Sequence, residues 1–228
     1  MPEIFIVEGN IGSGKSTFLT RVKEILKDDV QIIYEPLDEW LSIKDETGKN
    51  ILDYFYSDME RYCYAFQSMA FITRYQKTLT IDNTKKYVFI ERSIFSDKKI
   101  FAENCRKNNI MSEIEWNIYQ EWFKSMSKLI TFPHRFIYLR CSPEVSYQRL
   151  KGRNREEEKE VPLDYLRELH QRHEDWLMVS NSSDDINIKD KDDDIILDGE
   201  LEFKTEDKVM IDYLKNIIHS EDLVRLMV

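Results

Sequence analysis

An α/β fold, a doubly wound sheet of five parallel strands flanked by helices, is what the sequence predicts, and three observations carry that reading. Five short apolar runs alternate with longer stretches of helical period along the 228 residues, the pattern of strands joined by crossover helices. The runs are apolar on both faces, as in strands covered from both sides of a parallel sheet. The first run leads into a glycine-rich loop that opens a helix, which puts a site at the carboxyl ends of the strands.

Residues 4–8 (Ile4-Phe5-Ile6-Val7-Glu8) form the first strand. The stretch Gly9-Asn10-Ile11-Gly12-Ser13-Gly14-Lys15-Ser16-Thr17 follows and fits G-x-x-x-x-G-K-[ST]; Phe18, Leu19, Val22, Ile25 and Leu26 then give a helix over 15–28 its apolar face. Strand, loop and helix are the context that a phosphate-binding loop requires. Glycines let successive N–H groups point inward, and the helix adds the positive end of its dipole. In such a loop Lys15 reaches the β- and γ-phosphates, and the Ser16 hydroxyl takes a coordination place on Mg²⁺. The fold is therefore expected to be of the P-loop NTPase type. A second strand, 31–35, ends on Glu35 before Pro36, and a helical pattern runs over 50–81. The third strand, 86–91, ends on Glu91 and is followed by Arg92-Ser93. Helices over 95–107 and 112–130 lead to the fourth strand, 135–140. Helices over 143–151 and 161–179 and an acidic loop, 180–193, lead to the fifth, 194–198, and a last helix covers 204–220. No repeat interrupts this order, so a single domain over 1–228 is expected.

A parallel order brings Glu35, Glu91 and Arg92 together above Lys15. An ionised carboxylate at Glu35 suits the general base of a phosphoryl transfer. Glu91 is placed as an acidic ligand of the Mg²⁺ that Ser16 also holds, and Arg92 as a fixed cation that positions Glu35. Arg149 and Arg153, four apart, share a helix face, and with Arg155 they form an Arg-rich segment at about 149–160 that Gly152 loosens. It reads as a lid that closes on a phosphate donor and excludes water. Because Glu156, Glu157 and Glu158 follow, a salt-bridged solvent face is the alternative. Gln67, Ala70 and Arg74, spaced i, i+3, i+7, point to one side, with Tyr56, Tyr64, Phe66 and Phe71 near them. Gln67 suits a nucleobase edge and the aromatics suit stacking walls, although residues alone favour core packing here.

A net charge of −10 repels nucleic acid, and no basic tract offsets it, so no nucleic-acid partner is expected. Cys63, Cys105 and Cys141 are odd in number and show no C-x-x-C spacing, which suits a reducing compartment and argues against disulfides or structural zinc. The longest uncharged stretch, Tyr62 to Thr73, is far short of the roughly 20 residues of a membrane span, and no signal segment precedes the first strand. A cytoplasmic location without membrane association is the expectation. A GTPase switch would carry N-K-x-D and a D-x-x-G after the third strand, and neither is present.

Taken together, the motifs resemble the deoxynucleoside kinase family of deoxycytidine, deoxyguanosine and mitochondrial-type thymidine kinases. The likeness rests on Glu8-Gly9-Asn10-Ile11 with Gly14-Lys15-Ser16-Thr17, Glu35-Pro36 before Trp40, Phe66-Gln67, Glu91-Arg92-Ser93 with Ser96-Asp97 and Ile100-Phe101, Arg153-Asn154, Val161-Pro162-Leu163, and His173-Glu174 before Trp176-Leu177. It implies transfer of the ATP γ-phosphoryl, with Mg²⁺, to a deoxynucleoside 5′-hydroxyl in nucleotide salvage. By resemblance Glu35 is the base on that hydroxyl, Arg92 contacts the same oxygen, and Gln67 pairs with the base edge. Tyr56 binds the 3′-hydroxyl with Glu158 as its lid partner. Arg149, Arg153 and Arg155 are the lid arginines, and Phe203 lies beside the donor base. Ile11, Trp40, Phe66 and Phe101 form apolar walls. An arginine and an aspartate at Arg74 and Asp97 go with members that favour deoxycytidine or purine deoxynucleosides. A 5-methyl group would meet that pair, at a cost of roughly 1–3 kcal/mol, so thymidine is expected to be disfavoured. The resemblance also implies a homodimer through helices of the 50–81 and 112–130 kind, with Trp116, Tyr119, Trp122 and Phe123 as candidate contacts. A broad-specificity or thymidine-accepting kinase is one alternative. A non-catalytic nucleotide-binding relative is another, though it would be expected to lose Lys15, Glu35 or Arg92.

Overall fold

The computed structural model describes residues 1–153, 155–159, 161–179, 194–219 and 223. Its five strands are β1 (Glu3–Glu8), β2 (Val30–Ile33), β3 (Tyr87–Glu91), β4 (Arg135–Arg140) and β5 (Ile195–Asp198). They make one sheet in the order β2-β3-β1-β4-β5, and every pairing is parallel. β1 lies at the centre, with Val7 opposite Glu91 of β3 and Glu8 opposite Tyr138 of β4. Connections leave β1 toward both edges, which opens a crevice at the carboxyl ends.

The central strands are buried because both faces carry helices. On one side Phe5, Val7 and Phe89 pack with Phe18, Leu19 and Val22 of α1 (Lys15–Leu26) and Met210 and Leu214 of α10 (Asp207–Ile217). On the other, Ile6, Phe136 and Tyr138 meet Phe66 and Phe71 of α4 (Met59–Thr78), Tyr119 and Phe123 of α7 (Glu113–Ser127) and Leu166 of α9 (Leu163–His173). Burial on both faces does not extend to the edges: Gln31 and Ile32 of β2 are partly exposed, and Ile196 of β5 is 50% exposed. Each edge strand has a neighbour on one side only.

Several expected elements differ. β2 stops at Ile33, so Glu35 stands in the connection, its carbonyl accepting from the Leu37 N–H at 2.8 Å. A short helix, α2 (Leu37–Ser42), follows Pro36; six residues are too few to show a helical period. The pattern over 50–81 is two helices, α3 (Ile51–Ser57) and α4, because Asp58 leaves helical geometry and its side chain accepts from the Arg61 N–H. The 95–107 stretch is a single turn, α5 (Ile94–Ser96), a π-helical segment (Asp97–Ala102) and α6 (Glu103–Lys107). The 161–179 stretch ends in a second π-helical segment, Glu174–Val179. In α8 (Pro143–Arg153) Gly152 remains helical, so it does not loosen the segment that carries Arg149 and Arg153. The 180–193 loop, the residue at 154 and the expected end of the last helix at 220 lie outside the described residues. Of the four residues named for a dimer contact, Tyr119 and Phe123 belong to the core. Trp122 is exposed, and Trp116 stacks on Tyr119 at 6.2 Å.

Candidate active site

The loop between β1 and α1 turns through Gly12 and Gly14, at φ of 81° and 98°. A methyl group on Gly12 would lie 2.3 Å from the Ser146 carbonyl oxygen, and one on Gly14 2.8 Å from the Phe203 ring, so the close approach of α8 and of Phe203 requires glycine. Lys15 Nζ donates to the carbonyls of Gly9 at 3.1 Å and Asn10 at 2.8 Å. Burial lowers its pKa to about 7, the Arg92 guanidinium adds to that shift, and Glu91, Glu35 and Glu8 oppose it. The Ser16 hydroxyl donates to Glu91 Oε1 at 2.8 Å. Asn10 turns away from the crevice and donates to the Leu166 carbonyl at 2.8 Å, bracing the loop against α9.

A cavity of about 850 Å³ opens above this loop. It takes in every residue of the expected site except Gly9, Asn10 and Ser13, which are buried. Ile11, Lys15, Ser16, Thr17, Glu91, Arg149, Arg153, Arg155 and Phe203 line it together with Glu35, Trp40, Tyr56, Phe66, Gln67, Arg74, Arg92, Asp97, Phe101 and Glu158. Tyr64 and Phe71, expected near Gln67, do not line it; Phe71 packs on Tyr119 and Phe123 at 5.7 and 6.3 Å between ring centres.

Two guanidinium groups stand beside Glu35. Arg74 pairs with both Glu35 and Asp97, and Arg92 Nε stands 3.5 Å from Glu35 Oε1. Burial raises the Glu35 pKa, but Arg74, Arg92 and Lys15 together outweigh it and bring the carboxyl to about 2. Arg92 lies over the Phe101 ring at 4.8 Å and Arg74 over Trp40 at 4.9 Å, stacks in which a flat ring holds a delocalised cation. Trp40 is fixed in turn by donation from its indole N–H to Thr73 Oγ1 at 2.9 Å. Gln67 is 1% exposed, and neither amide atom has a partner among the described residues. A buried amide left in that state is poised for a ligand. Burial and the nearby carboxylates of Glu158 and Glu35 push the Tyr56 hydroxyl well above its usual pKa, so it keeps its proton to donate.

Arg153 and Arg155 both pair with Glu158, the latter at 3.1 Å. Arg149 behaves differently from the four-apart clamp expected with Arg153. Its guanidinium donates to the carbonyls of Gly199 at 2.6 Å, Ser13 at 3.3 Å and Glu200 at 3.3 Å, tying the phosphate loop to the segment after β5. Phe203 lies edge-on to Phe18 at 6.3 Å. Tyr34, Glu202 and Lys204 also line the cavity, and nothing in their spacing marks them in advance. Glu8 carries no expected role of its own; a carboxylate ending an otherwise apolar strand beside the loop is its one signal.

The arrangement provides an anion cradle, a carboxylate kept ionised, fixed cations between them and an amide open to a planar partner. Comparison with known proteins agrees with that chemistry. The deoxynucleoside kinase family model matches residues 5–219. The deoxycytidine kinase of Rattus norvegicus is 32% identical over 233 residues, covering 93% of this chain and 89% of its own. A probable deoxycytidine kinase of fowlpox virus is 40% identical over 178 residues, covering 77% and 72%. The mitochondrial thymidine kinase 2 of Macaca fascicularis is 36% identical over 179 residues, covering 77% and 64%. With a matched span that runs from β1 through α10 and relatives of this similarity, the chain belongs to the deoxynucleoside kinase family.

Proposed function

We propose that this chain transfers the γ-phosphoryl group of ATP to the 5′-hydroxyl of a deoxynucleoside in nucleotide salvage, preferring deoxycytidine and purine deoxynucleosides to thymidine. The observation that supports it is one cavity lined both by Lys15 and its loop and by the ionised Glu35 beside Arg92. Glu35 accepts the proton of the attacking hydroxyl, and Arg92 holds a cation beside the same oxygen. The loop N–H groups and Lys15 hold the phosphates, and Arg153 and Arg155 add charge from the lid. Ser16 and Glu91, 2.8 Å apart, are two hard oxygen donors that suit Mg²⁺. Such an ion supplies neutralisation of phosphate charge. Gln67 takes the base edge between Trp40, Phe66, Phe101 and Ile11, Tyr56 and Glu158 take the 3′-hydroxyl, and Phe203 lies beside the donor base.

The base preference rests on the Arg74–Asp97 pair. Held beside Glu35 and over Trp40, Arg74 fills the space that a 5-methyl group would need. The likeness to a thymidine kinase 2 favours a second reading, a broader kinase that accepts thymidine. Assembly as a homodimer and a cytoplasmic location belong to the same proposal. The second is in keeping with three free, buried cysteines and with the absence, among the described residues, of a helix long and apolar enough to cross a membrane. The test is ADP release with Mg·ATP and each of the four common deoxynucleosides. Deoxycytidine or a purine deoxynucleoside is expected to exceed thymidine in kcat/KM by roughly tenfold or more. Preference for thymidine contradicts the argument from Arg74, and no turnover with any of the four contradicts the kinase reading.

A further inference from the structure

Glu8 ends β1 fully buried, and the roles proposed above leave it unused. Its Oε1 accepts from Ser96 Oγ at 2.5 Å and from Ser93 Oγ at 3.2 Å. Both hydroxyls are also acceptors, Ser96 Oγ from the Ser93 N–H at 2.9 Å and Ser93 Oγ from the Phe95 N–H at 3.2 Å. A hydroxyl has one proton to give, and each gives it to Glu8. Ser93 and Ser96 are 3% and 0% exposed. Without an acceptor at position 8, two buried donors lose their partner.

The turn held in this way has Arg92 on one side and Asp97 on the other. Arg92 adopts a φ of 62°, a left-handed conformation that a residue with a side chain keeps only where its surroundings impose it. Its N–H is bonded to the Val7 carbonyl at 3.0 Å, and the Asp97 N–H to the Ser93 carbonyl at 3.3 Å. β1 therefore grips the turn twice, through the Val7 carbonyl and the Glu8 carboxyl, and its next residue, Gly9, begins the phosphate loop.

We infer that Glu8 is a positioning residue for phosphoryl transfer, locking the Ser93–Ser96 turn to the foot of the phosphate loop so that Arg92 and Asp97 stand at a fixed reach from Lys15. This role presupposes the kinase reading proposed above and deepens it. Glutamine at position 8 keeps an acceptor oxygen for both hydroxyls, whereas alanine keeps none. Burial also raises the Glu8 pKa against the pull of Arg92, the Ser96 hydroxyl, Arg74 and Lys15, which makes a neutral acceptor compatible with the position.

Steady-state kinetics with Mg·ATP and the best deoxynucleoside, on the unaltered chain and on Glu8→Ala, Glu8→Gln and Ser96→Ala, test it. Displacing a reacting group by about 1 Å costs on the order of 100-fold in rate. Glu8→Ala is expected to lose kcat on that order, with both KM values within about threefold and Glu8→Gln restoring most of the loss. Ser96→Ala, which removes one hydroxyl, is expected to show a smaller loss of the same kcat-selective kind. In an active enzyme, a folded Glu8→Ala with unchanged kcat, or with a loss carried by KM, overturns the role. Should Glu8→Ala fail to fold, Ser96→Ala decides, and an unchanged kcat there overturns it. An inactive unaltered chain overturns the kinase reading and this role together.

Discussion

With a pKa brought down to about 7 by burial and by Arg92, against the pull of Glu91, Glu35 and Glu8, Lys15 of the free protein is only partly protonated at neutral pH. Phosphate charge favours the ammonium, so a bound triphosphate raises that pKa again. Below pH 7 the cation is present before binding; above it, binding must take up a proton, and affinity falls as pH rises from 7 toward 9. Titration calorimetry of Mg·ATP at pH 8 in two buffers of different ionisation enthalpy is expected to show uptake of roughly half a proton or more. No uptake contradicts the shift. The chemistry-bearing residues themselves were readable in the sequence, because Glu35, Glu91 and Arg92 follow apolar runs and a sheet gathers strand ends. The contact of Arg74 with Glu35 was not readable, since it joins α4 to the connection after β2, residues far apart in the chain. Nor was the turn of Arg149 toward main-chain carbonyls, which depends on where the segment after β5 passes.

Helix α3 shows how an element can be hidden inside a longer period. Apolar residues recur at helical spacing throughout 50–81, but Asp58, at φ −148° and ψ 77°, ends α3 and caps α4. The break lets Tyr56 of α3 and Gln67 of α4 line the same cavity. Asn50 starts α3 with a reciprocal cap: its side chain accepts from the Leu52 and Asp53 N–H groups at 2.9 and 3.0 Å, and Asp53 accepts from the Asn50 N–H at 2.8 Å. Asn50→Ala is expected to destabilise the protein by about 1 kcal/mol, read from the shift of the urea midpoint at unchanged slope; no measurable shift contradicts the cap. The two π-helical segments gave no signal in the sequence, because six residues hold little more than one wide turn, too few to show a period of their own.

At the scale of the whole molecule, element order alone yielded the parallel sheet and the side of it on which the crevice opens. Which apolar surface stays outside was less legible. Along α7, Ile114, Ile118 and Trp122 are 66%, 42% and 53% exposed, a stripe at four-residue spacing, while Tyr119 and Phe123 face the core. If that stripe is the homodimer seam, sedimentation of the unaltered chain gives a dimer and Trp122→Glu gives a monomer, since a carboxylate in an apolar seam loses its hydration. A monomeric unaltered chain contradicts the homodimer. The proposed transfer of a phosphoryl group to a hydroxyl deprotonated by Glu35 stands or falls with Glu35→Gln. In pre-steady-state turnover with a saturating deoxynucleoside and Mg·ATP, this variant is expected to lose roughly 10²–10⁴ in the chemical step with nucleoside affinity retained. A chemical step at the rate of the unaltered chain would contradict it.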